Sequence, residues 1–204
     1  MWRLAAGTLA LGLLAACGGG GGSAAKPTNA ALATKLLTPA DLTTGDVLEA
    51  GWAVGNVSDG VDIKLPSCVQ EVAGPGSVAS ARSDLVTKTN LKLPAVQEQV
   101  SSYAHGGAAK AFAAAQARLD GCKPTFVFQG TPEPGQIQRL PLTIPGATAV
   151  AWRTTVTIAG AQVALTSIHI EKGDLEVGVV HVDLGHPDPA TLTNLATKAL
   201  AKLG

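Results

Sequence analysis

Three runs crowded with Val, Ile and Thr occupy 147–159, 162–172 and 175–184, parted by Gly160-Ala161 and Gly173-Asp174. β-branched residues suit a pleated, half-buried surface, and short glycine-containing breaks suit hairpin turns, so an antiparallel meander is predicted. Weaker alternation predicts strands over 78–90 and 95–103; in the second, Val96, Val100 and Tyr103 interleave with Gln97, Glu98, Gln99, Ser101 and Ser102. Shorter strands are predicted at 125–129 and 136–142, flanking a turn region from Gly130 to Gly135, and at 47–57, where Gly51 and Gly55 interrupt the run around Trp52. Helical spacing appears elsewhere. Ala108, Phe112, Ala115, Leu119 and Cys122 share one face of an Ala-rich helix over 108–120 that Gly121 stops. A last helix has Asp188 as N-cap, Pro189 at its first position and the stripe Leu192, Leu195, Ala199, Leu203. A short helical turn begins at Thr38-Pro39, with Asp41 near its dipole. Strands in runs, not in strict alternation with helices, predict an α+β fold. Its mostly antiparallel sheet packs against the Ala-rich helix and the C-terminal helix, in a single domain over 36–204.

The N-terminal pattern is different. After Met1-Trp2-Arg3, residues 4–14 form an apolar stretch too short for a bilayer core, which takes about 20 residues, but of the length of a signal-peptide hydrophobic region. It ends in Leu14-Ala15-Ala16-Cys17. This resembles the lipobox of bacterial lipoproteins. The resemblance implies a signal peptide over 1–16, cleavage before Cys17 and a diacylglycerol on the Cys17 thiol. Two acyl chains, such as palmitate, would give stable anchoring where one would not. Residues 17–35, opening with five glycines from Gly18 to Gly22, are expected to form a flexible tether. No Gly-Lys-Ser/Thr follows those glycines, which excludes a phosphate loop.

Charge and composition narrow the function. Lys+Arg and Asp+Glu each total 15 and only 3% of residues are aromatic, which argues against nucleic-acid partners. Of the three cysteines, lipidation takes one. Cys68 and Cys122 remain, and in an oxidising compartment two thiols are expected to pair across 54 positions. The alternative is two separate buried thiols. Their spacing fits no zinc motif.

No group of residues stands out as catalytic. If Gly173-Asp174 is a two-residue turn, His169 faces Gly178, His181 faces Thr166 and the imidazoles point to opposite faces; a three-residue loop would put them on one face but roughly 13 Å apart, at about 3.3 Å per residue, so in neither register do they share a metal ion. His181, Asp183, His186 and Asp188 match no ligand motif, and Asp188 is already explained as a cap. Ser101, Ser102 and His105 lack a nucleophile elbow. Glu133, Glu171 and Glu176 are scattered. Trp52 and Trp152 are expected in the core. Neither a metal nor a cofactor is expected.

The order of elements resembles a module of actinobacterial cell-envelope proteins, the PknH-like extracellular domain, found behind kinases and in free lipoproteins. The resemblance rests on Leu36, Leu37, Ala40, Asp41 and Leu42, on Cys68, on the strand ending at Tyr103, and on the helix of Ala108 and Phe112 ending in Cys122. Many members carry four cysteines where this domain has two. The resemblance implies a non-catalytic, sensor-like domain on the outer side of the cell membrane, binding a small ligand or an envelope protein. An envelope lipid or glycolipid carrier would instead need a deep apolar cavity. A hydrolase would need Ser102 or His181.

Overall fold

The computed structural model describes residues 27–42, 52–54, 63–70, 76–87, 94–158, 160–184 and 189–204. The leader, Cys17, most of the tether, His186 and Asp188 lie outside them. Only 52–54 of the strand expected at 47–57 lies inside.

The strongest sequence signals became the centre of the sheet. Strands β1 (Trp52–Val54), β3 (Ala79–Thr87), β4 (Pro94–Ser102), β7 (Gln136–Leu140), β8 (Thr148–Ile158), β9 (Ala161–Lys172) and β10 (Leu175–Leu184) form an antiparallel sheet in the order β1-β3-β4-β10-β9-β8-β7. The β9–β10 hairpin has the expected register: Lys172 pairs with Leu175, His169 with Gly178 and His181 with Thr166. Gly173, at φ 62°, supplies the left-handed turn residue. The fold is α+β, as the pattern predicts.

Helices cover both faces. On the first face, α1 (Asn29–Ala33), a single 3₁₀ turn (Pro39–Asp41) and α4 (Pro189–Lys202) pack over Leu85, Val96, Val100, Ile168, Val177 and Val179. On the second, the Ala-rich helix α3 (Gly107–Asp120) lays Phe112 and Leu119 against Trp152, Leu165 and Val180. The period of two sends alternate residues of β8, β9 and β10 to opposite cores, so these central strands are apolar on both sides.

Three features depart from the sequence reading. The region 130–135 is not only a turn: β6 (Thr131–Pro134) pairs with β5 (Thr125–Phe128), and with β2 (Ile63–Lys64) they form a separate three-stranded sheet. Gln129 and Gly130, at φ 47° and 84°, make the two-residue turn, and Pro132 and Pro134 are tolerated because β6 is an edge. Second, residues 29–33 of the expected tether form α1, whose Leu32 is buried in the first core and whose N-terminus is capped by the Thr28 hydroxyl. Third, a short helix, α2 (Ser67–Gln70), holds Cys68.

Cys68 and Cys122 are joined by a disulfide, with Cα atoms 5.9 Å apart. Cys122 follows Gly121, the C-cap of α3, so the bond ties the end of α3 to α2. Arg118 Nε donates to the Cys68 carbonyl at 3.2 Å and supports the same junction.

Candidate functional site

The space between α3 and the sheet, where a lipid carrier would need a cavity, is filled. Phe112, Leu119, Trp152, Leu165 and Val180 are buried there in one apolar cluster. Trp152 lies edge-on to the His169 ring, centroids 6.1 Å apart, and its indole N–H donates to Asp120 Oδ1 at 2.8 Å. The Arg139 guanidinium stands 5.7 Å from the centre of the same indole.

Three polar side chains of this layer pair with one another. Tyr103 donates its phenol hydrogen to Glu176 Oε2 at 2.7 Å, and His169 Nδ1 lies 3.3 Å from Glu176 Oε1. All three side chains are buried. A buried carboxylate flanked by a phenol and an imidazole is a self-satisfied network rather than an open acid/base site. Tyr103→Phe removes one donor and is expected to cost about 1–3 kcal/mol. Urea unfolding should show a lower midpoint at unchanged slope; an unchanged midpoint would mean that the phenol hydrogen bond contributes nothing.

Ser102 and His181, the residues a hydrolase would have drawn on, are not brought together. Ser102 pairs with Leu175 and His181 with Val96, six ladder steps away, or roughly 20 Å at about 3.3 Å per residue. His169 faces the α3 layer and His181 the opposite one. Among the described residues no group of three or more His, Cys, Asp or Glu is placed to hold a metal ion.

An open cleft of about 170 Å³ lies on the first face, where the β7–β8 edge meets the first turns of α4. Leu140, Pro141, Leu142, Ala151 and Leu192 give it apolar walls, and Arg153 and Thr193 give it polar ones. Register explains the combination. Leu140 pairs with Ala151 and Gln138 with Arg153, so the guanidinium stem and the apolar residues emerge on one side. Pro141 follows the last paired residue of β7. Sequence reading did not find the cleft, since its walls come from three separated segments and Arg153 belongs to no motif.

A second buried carboxylate lies on the first face. Glu98 Oε2 accepts the Leu37 backbone N–H, while Glu98 Oε1 is buried with no partner among the described residues. Burial pushes the Glu98 carboxyl up to about 7; the Leu37 N–H pulls it down, Asp41 raises it and Lys202 lowers it, and burial wins.

No family model matches the chain, and no curated protein matches it. Among solved structures it is similar to the extracellular domain of PknH from Mycobacterium tuberculosis, at 14% identity and a TM-score of 0.60, covering 87% of this chain and 96% of that one. The chain therefore has a PknH-like fold. A protein of unknown function from Pseudomonas aeruginosa also matches, at 14% identity over 75% of this chain and 95% of that one, but its TM-score of 0.29 adds nothing to the fold assignment.

Proposed function

We propose that the protein is a lipoprotein held on the outer side of the cell membrane through Cys17, whose sensor-like domain binds a small ligand or an envelope protein and catalyses no reaction. The observation that carries this reading is the PknH-like fold, shared with a domain described as extracellular. The Cys68–Cys122 disulfide supports an oxidising compartment. The leader and the Leu14-Ala15-Ala16-Cys17 run support lipidation. The cleft beside Arg153 is the proposed ligand site, its apolar walls and guanidinium suiting an aliphatic group with an anionic end. The filled layer under α3 disfavours a lipid carrier.

The anchor is tested by expressing the full chain in a lipoprotein-processing bacterium fed an alkyne-tagged palmitate. The wild-type chain should take the label and sediment with membranes. Cys17→Ser should lose the label and leave the membrane fraction. A labelled Cys17→Ser chain would refute the assignment. For the cleft, short aliphatic carboxylates titrated against the wild-type chain should perturb the amide signals of Ala151, Arg153 and Thr193, and Arg153→Ala should weaken that binding. Perturbations elsewhere, or unchanged affinity in the variant, would remove the site.

A further inference from the structure

The segment from Pro27 to Leu42 lies across the first face as a strap, and its attachments are specific. Ser80 N–H donates to Asn29 Oδ1 at 3.0 Å, Lys35 Nζ to the Leu203 carbonyl at 2.8 Å, and Ser83 Oγ to the Leu37 carbonyl at 3.4 Å. Lys202 pairs with Asp41 at 2.7 Å. Leu32, Leu36, Leu37 and Leu42 bury their side chains in the first core. The attachment at the middle of the strap is the Leu37 N–H on Glu98.

We propose that this strap is pH-gated, with Glu98 as its latch: the protonated carboxyl holds residues 27–42 on the sheet, and its ionisation loosens them. A buried carboxylate needs several donors. Glu98 is 1% exposed, receives the Leu37 N–H on one oxygen and, among the described residues, has no donor on the other. Protonation removes the charge and leaves Oε2 free to accept. Ionisation favours any state in which the strap lifts and water reaches the carboxyl.

The charged groups around the latch do not cancel this. The 3₁₀ turn brings Asp41, which opposes a second negative charge, and α4 brings Lys202, already paired with Asp41. Lys35 of the strap is held on Leu203. β10 places His181 on the same face, paired with Val96 two residues from Glu98, while β3 and β9 bring Ser83 and Ile168 to the Glu98 row. The signs separate these groups. A folded-state carboxyl raised from 4.5 to about 7 makes the docked strap most favoured below 4.5, with the advantage lost as pH rises toward 7. Burial raises Asp41, but its hydrogen bonds to Lys202 and Thr38 outweigh this and hold it below 3.8, so its contribution is lost only in stronger acid.

Hydrogen exchange on the full chain between pH 5 and pH 8, corrected for intrinsic rates, tests the latch. Protection of strap amides should fall by about 50- to 100-fold over that range, following the tenfold-per-unit linkage between the two protonation midpoints. Protection of β9 amides from Leu165 to Ile170 should change far less. Glu98→Gln, which keeps an acceptor for Leu37, should flatten the strap's response. Flat strap protection in the wild-type chain, an equal fall in β9, or an undiminished response in Glu98→Gln would each overturn the proposal. The wild-type comparison of strap with β9 decides the matter even if the variant does not fold.

Discussion

Trp152→Ala is expected to lower stability by about 3–5 kcal/mol, the range for removing a large aromatic from a packed core. Trp152 is 1% exposed at the centre of the second core, and little around it can collapse into the space it would leave. The indole also acts as a hook. Its N–H bond to Asp120 fastens the last residue of α3 to the sheet, and Arg139, 3.8 Å from the same carboxylate, closes the group from outside. Trp152→Phe keeps much of the volume and loses the hook, so a smaller cost of about 1–2 kcal/mol is expected from the missing hydrogen bond and residual void. Chemical denaturation of the two variants separates packing from hook. Equal losses would mean that ring volume contributes little, and a loss below about 1 kcal/mol in Trp152→Ala would mean that the layer under α3 is not close-packed.

The paired change Cys68→Ser with Cys122→Ser is expected to cost about 4 kcal/mol, the chain-entropy estimate for a closed loop of this length. The separation of 54 positions encloses β3, β4 and α3, so the bond restricts much of the unfolded chain. Local contacts would partly outlast it: Val69 remains in the second core, and Arg118 still reaches the Cys68 position through a backbone carbonyl. The loss should therefore act through the unfolded state, with native signals of the β8–β10 meander retained. Reductant added to the wild-type chain should reproduce the double variant. A midpoint that reductant leaves unmoved would contradict this assignment.

The parts legible in the sequence are those set by nearest neighbours and simple periods. Val, Ile and Thr density located β8, β9 and β10, and the Gly173-Asp174 turn fixed a register that put His169 and His181 on opposite faces. The Ala108-to-Leu119 face located α3, because helical spacing needs only residues three and four apart. β6 was missed because its prolines and flanking glycines look like a turn; what makes it a strand is the partner β5, some residues back. α1 was missed because five residues following a glycine-rich stretch carry little signal of their own. Its helix is stabilised by burying Leu32 on the sheet.

The chain's own chemistry determined where it is punctuated, which runs become strands and helices, and that two cysteines were available to pair. Those properties depend on local backbone preference and on a repeat of two or 3.6 residues. Only tertiary structure decided that Glu98 would meet Leu37 across 61 positions, that Glu176 would take Tyr103 and His169 as partners, and that Arg153 would share a cleft with Leu140 and Leu192. Burial and pairing of a polar group depend on which distant segment covers it, and desolvation, which sets its charge, is a property of that covering layer and not of its neighbours in the chain.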